Sequence, residues 1–112
     1  MSTRVYVPLS LDVLRESLST GAMPAGAERV VAADAEEESE YLALMTAADL
    51  SAELLGGAGR RVVVVAEVAD PEGEIALTDV VAVHADAEPF TDPDEDLAWY
   101  AAQELPALVA QD

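Results

Sequence analysis

Cysteine and lysine are both missing from this sequence, and histidine occurs once, at position 84. Without cysteine there is no disulfide, no thiolate chemistry, no cysteine-type zinc site and no cysteine-held iron–sulfur cluster. Without lysine the cations are 5 arginines, set against 23 acidic residues, and the formal net charge is −18. No basic stripe exists to neutralise phosphates, so no direct contact with nucleic acid is expected, and none with an anionic membrane. No apolar run reaches membrane-spanning length, and Met1-Ser2-Thr3-Arg4 opens on a strand pattern without a signal-peptide core, so a cytoplasmic location is expected. Aromatics are reduced to Tyr6, Tyr41, Phe90, Trp99 and Tyr100. With many alanines in the 52% hydrophobic content, each buried side chain adds little area, and a homodimer that adds apolar burial would help.

Catalytic signatures are missing too. There is no G-x-S-x-G elbow, phosphate-binding glycine loop or H-E-x-x-H helix, and any serine nucleophile would have only His84 as its base. Gly56-Gly57-Ala58-Gly59 precedes a strand pattern and not a helix, so it reads as a connector without phosphate-binding logic.

The 112 residues fit one domain, 1–112, with a folded surface of about 5,900 Å² by area scaling. The landmark is residues 60–68, where Arg60 and Arg61 lead into Val62, Val63, Val64 and Val65, then Ala66, Glu67 and Val68. β-Branched side chains on successive positions leave no polar face, which predicts an interior strand covered on both sides. Before it, residues 4–7 read as a strand ended by Pro8, and Ser10 as the cap of a helix carrying Leu11, Leu14 and Leu18 and stopped by Gly21. Residues 29–33 read as a second short strand. Asp34, with Glu37 three residues on, looks like the capping box of the longest helix, with an apolar stripe of Tyr41, Met45, Ala48, Ala52 and Leu55, widened by Leu44. After the valine strand, residues 70–74 form a turn and 75–87 a returning antiparallel strand, with Val81, Val83, Ala85 and Ala87 on one face and His84, Asp86 and Glu88 on the other. Asp92, Pro93 and Glu95 open a last helix through Leu97, Ala101, Leu105 and Leu108, kinked at Pro106. The predicted fold is α/β (α+β): a single mixed four-stranded sheet in the order β-α-β-α-β-β-α, with helices packed on it.

Three groups of residues invite a functional reading. His84, Asp86 and Glu88 offer an imidazole and two carboxylates to a divalent cation, although ligands at i, i+2 and i+4 span about 13 Å on a flat strand and need a bend to converge. Glu36, Glu37, Glu38 and Glu40 crowd the first turns of the long helix, where they favour the helix dipole, repel one another and suit an arginine-rich partner. Trp99-Tyr100 either anchors the last helix to the sheet or, if exposed, marks a docking surface. The acids Asp70, Glu72, Glu74 and Asp79 lack the spacing of a calcium loop. Glu67, if buried among the valines, needs Arg4, Arg29 or Arg61 as its partner.

Arg4-Val5-Tyr6-Val7-Pro8-Leu9, Glu40-Tyr41-Leu42-Ala43-Leu44, Val81-Ala82-Val83-His84-Ala85-Asp86 and the stretch from Leu97 to Pro106, with its Trp-Tyr-x-x-Gln-Glu-Leu-Pro pattern, resemble an uncharacterised family of small acidic actinobacterial proteins. The resemblance implies a GC-rich source, which with a salt-rich cytoplasm is an ordinary cause of acidity, and it brings no activity and no functional residue. The reading is therefore a non-enzymatic interaction or regulatory module that uses its acidic surface for a basic protein partner and needs no cofactor. The alternative is a small metal-dependent enzyme or cation-binding protein built on His84, Asp86 and Glu88.

Overall fold

The computed structural model describes residues 2–24 and 26–110. Five strands form one sheet: β1 (Thr3–Leu9), β2 (Val30–Val31), β3 (Val62–Val68), β4 (Val80–Ala85) and β5 (Ala98–Ala101), in the spatial order β2-β1-β3-β4-β5. Every neighbouring pair is antiparallel, so the sheet is not mixed and has one strand more than the sequence pattern suggests. The helices are α1 (Leu11–Thr20), α2 (Glu37–Leu54) and α3 (Leu105–Ala110). Helices α1 and α3 pack on one face of the sheet with Val5, Val7, Leu9, Val62, Val64, Ala66 and Val83, whereas α2 packs on the other with Tyr6, Val63, Val65 and Ala82. The valine strand is thus central and covered on both faces, as its composition demands. Its four valines are buried. The surface area, 6226 Å², is close to the value that chain length predicts.

Several boundaries move for identifiable reasons. Pro8 does not end β1, which runs on to Leu9. Opposite Pro8 lies Val63, and β2 has already ended after pairing with Val5 and Tyr6, so the missing N–H falls on an open stretch of edge. The second strand is two residues long and not five. Helix α2 starts at Glu37, because Asp34 spends its Oδ1 on the Glu36 N–H (3.0 Å) in a turn ahead of the helix. Its buried stripe is Ala43, Ala47, Ala48 and Ser51, rotated from the predicted one, and Tyr41 faces solvent. Ser51 closes the far end of the ladder. Its hydroxyl donates to the Leu9 carbonyl (2.7 Å) and accepts from the Val62 N–H (2.9 Å), bridging the last β1–β3 pair.

The return strand is shorter than expected, since residues 77–79 form a 3-10 turn before β4. A bulge at Val81, where Ala66 pairs with Val80 and Val65 with Ala82, breaks the predicted alternation and takes Val81 off the face of Val83 and Ala85. The long final helix does not form. Residues 98–101 are β5, and only Leu105–Ala110 is helical, with Pro106 in its first turn. The capping chemistry at Asp92 is present: Glu95 Oε1 accepts from the Asp92 N–H at 3.0 Å. The carbonyls of Pro93 and Glu95, however, accept from the Arg61 guanidinium at 3.0 and 2.9 Å and are lost to any helix. Among the described residues no helix is long and apolar enough to cross a membrane.

Candidate functional site: a cleft between α2 and the β4–β5 edge

Helix α2 lies over β1 and β3 and buries Ala82 of β4, but leaves Val81 of β4 and Trp99 of β5 exposed on the same side of the molecule. The step between helix and bare strands is a cleft of about 360 Å³ lined by Arg4, Tyr6, Glu40, Tyr41, Leu44, Val65, Val81, Ala82, His84 and Trp99. Its apolar wall is open to water, with Trp99 61% exposed, Tyr41 48% and Val81 42%. Trp99 stands opposite His84 in the β4–β5 register, so the two rings share the face. A shallow hollow formed by Glu36, Glu37 and Glu38 adjoins the cleft through their common neighbour Tyr41.

The polar end of the cleft is an ion-pair cluster. Arg4 Nη2 donates to Glu67 Oε2 at 2.7 Å, and Nη1 lies 3.6 Å from Glu40 Oε1. Glu67 is not buried among the valines, so the condition that would demand a partner is not met; the strand's end emerges toward solvent, where Arg4 pairs with Glu67 and holds its carboxyl below the ordinary carboxylate range. Burial, reinforced by the Glu40 charge, pushes the Tyr6 hydroxyl up. Tyr41 donates to Asp96 Oδ1 (2.8 Å), a bond that raises its hydroxyl pKa and ties α2 to the segment between β4 and β5. Desolvation holds the His84 ring below its ordinary value. Among the described residues nothing hydrogen-bonds to that ring.

The three proposed metal ligands are not brought together. Asp86, just past β4, is buried and gives both oxygens to Arg61, accepting from Nε (2.8 Å), Nη2 (2.9 Å) and the Arg61 N–H (2.8 Å). Glu88 is exposed in the following segment. Among the described residues no group of three His, Asp or Glu side chains is placed to hold a metal ion. The acidic residues on α2 and Trp99 do converge: Glu36, Glu37, Glu38, Glu40 and Trp99 all border the joined hollows around Tyr41. Tyr100 does not, because the strand alternation turns it to the opposite face, where it packs against the core with Val83. Sequence reasoning missed Arg4, Tyr6, Tyr41 and Val81 as cleft residues. For Tyr41 the signal lay in the charge pattern, since it sits on the glutamate side of α2. For Val81 there was none, because a bulge has no composition of its own.

A larger hollow, about 890 Å³, lies where the loop before β2 meets the β3–β4 turn, with Met23, Arg29 and Ile75 in its wall. Arg29 is committed there to the carbonyls of Ala27 (3.2 Å), Pro71 (3.1 Å) and Gly73 (2.6 Å), holding the turn in place. None of the predicted site residues lines it.

The pattern of one protein family, a family of unknown function, matches residues 3–93, which takes in β1 to β4, α1 and α2. The chain belongs to this family, DUF6912. The DUF6912 match includes every cleft residue except Trp99 and stops at Pro93, ahead of β5 and α3. The Trp-Tyr-x-x-Gln-Glu-Leu-Pro stretch therefore lies outside the matched span. No curated protein and no solved structure matches the chain.

Proposed function

We propose that this DUF6912 member is a non-enzymatic interaction module that docks a basic protein segment on the face formed by the first turns of α2 and the β4–β5 edge. The observation that carries the reading is the exposed Trp99–Tyr41–Val81 wall beside Glu36, Glu37 and Glu38, on a chain of net charge −18. Exposed aromatic surface next to carboxylates suits arginine, which stacks on the rings and pairs with the acids. The wider negative field steers such a partner to the surface and repels a polyanion. No observation favours the metal-dependent alternative, since Asp86 is committed to Arg61.

Calorimetric titration with an arginine-rich peptide tests the reading. Binding is expected to weaken by at least roughly tenfold as salt rises from about 0.05 to 0.5 M. E36Q/E37Q/E38Q should weaken it strongly, whereas D70N/E72Q/E74Q, which removes as many charges at the β3–β4 turn, should barely change it. Equal losses in the two variants would reduce the interaction to diffuse charge and defeat the proposal.

A further inference from the structure

We infer that β5 is a receptor edge: a basic segment binds in extended form as a sixth strand beside Ala98–Ala101, with its alternate side chains over the cleft. The inference rests on the reading above and names the form of the partner. Among the described residues β5 ends the sheet and pairs only with β4. The Ala101 N–H donates to Glu104 Oε1 at 2.9 Å and is therefore turned away from β4. Main-chain groups alternate along an antiparallel ladder, so Ala98 and Tyr100 bond to β4, while the N–H and C=O of Trp99 point out of the sheet. Among the described residues no hydrogen bond reaches the Trp99 main chain from that side.

Sheet edges are ordinarily protected by charge, proline, a bulge or extreme shortness. The opposite edge, β2, is only two residues long. Ala98-Trp99-Tyr100-Ala101 carries neither a charge nor a proline, and its pairing with β4 is regular. The protection lies at its ends instead, with Asp92, Asp94, Glu95 and Asp96 before it and Glu104 after it. A second copy would bring identical acidic flanks together on molecules of charge −18 each, whereas a basic strand meets opposite charge at both ends. The residue opposite Trp99 would exchange both main-chain bonds with it and project onto the cleft face, beside Trp99 and His84. Its neighbours would fall on the other face with Ala98 and Tyr100. The fitting sequence therefore alternates basic and apolar residues.

The probe is an acetylated, amidated peptide of alternating arginine and valine, about seven residues long to match a typical strand. Amide hydrogen exchange read by NMR should show at least tenfold slower exchange at Trp99 on binding, with little change at Ala98 and Tyr100, whose amides are already bonded to β4. N-methylating the alternate peptide residues that face β5 should abolish binding, and methylating the other set should spare it. If both methylated peptides bind like the parent and Trp99 exchange is unaffected, side chains alone make the contact: the strand is overturned and the docking face survives. If the parent peptide does not bind, the docking face falls as well. If the peptide-free protein sediments as a dimer with the Trp99 amide protected, the edge belongs to a second copy and the inference is overturned.

Discussion

Arg61 is wholly buried and still fully engaged. Its guanidinium makes the bidentate pair with Asp86, donates to the carbonyls of Pro93 and Glu95, and lies 4.6 Å from the centre of the Phe90 ring. One residue thus fixes the segment between β4 and β5 against β3 and sets where β5 begins. Removing either partner strands the other charge in the interior. Arg61→Met and Asp86→Asn should each lower unfolding free energy by about 3–5 kcal/mol in denaturant titrations, and the Arg61 change should also loosen residues 86–97. A loss below about 1 kcal/mol would show that the pair is hydrated in solution. His84 gives a pH signature. Its folded pKa lies below the ordinary value near 6.5, so on acidification the unfolded chain takes up this proton first, and stability falls from about pH 6.5 down to the folded pKa. The carboxyls of Glu67, paired with Arg4, and of Glu95, hydrogen-bonded by Thr91 and the Asp92 N–H, add their own loss only below their ordinary value of 4.5. His84→Gln should flatten the slope that sets in below about pH 6.5 and above the carboxylate range, and an unchanged slope would locate the proton elsewhere. Both residues were visible in the sequence, but their roles were not. Arg61 was a candidate partner for Glu67 and Asp86 a candidate metal ligand, because only the register that sets Val62 opposite Ala85 brings the two together.

At the scale of elements, the parts whose pattern is carried by side-chain shape were legible. The valine strand, the Ser10-capped α1 with Gly21 in the left-handed conformation (φ 86°), and the antiparallel β3–β4 pair all form as their residues require. Helix α2 was legible in existence but not in phase. Its buried face is alanine and serine, so the larger Tyr41, Leu42 and Leu54 mark the exposed side. Small residues let the helix approach the sheet closely, which makes Ala47 intolerant of volume. Ala47→Leu should cost about 1–3 kcal/mol through overpacking, whereas Leu42→Ala should stay within about 0.5 kcal/mol. Comparable effects from the two would mean that the buried face is misassigned. The final segment was read as helix because Asp92, Pro93 and Glu95 do form a helix-start turn. Two distant interactions defeated it: Arg61 drawing off the carbonyls, and β4 offering an unpaired edge to residues 98–101.

For the whole molecule, the decisive features are an uneven cover and an uneven charge. Two helices cover one face of the sheet, and a single helix covers about half of the other, leaving Trp99 bare beside a glutamate-lined turn. The acidity was plain from composition, and so was the chance that Trp99 marks a docking surface. What composition could not supply was the topology that sets Trp99, Tyr41 and the α2 glutamates around one cleft. Because Trp99 is the sole tryptophan, its fluorescence reports on that cleft alone. The most direct measurement is therefore Trp99 emission during titration with an arginine-rich peptide in which the protein supplies the only indole. The account predicts a saturable change in emission with the midpoint found by calorimetry, reversed by added salt and lost in E36Q/E37Q/E38Q. Saturating calorimetric heats with unaltered Trp99 emission would place the basic partner elsewhere on the acidic surface and contradict it.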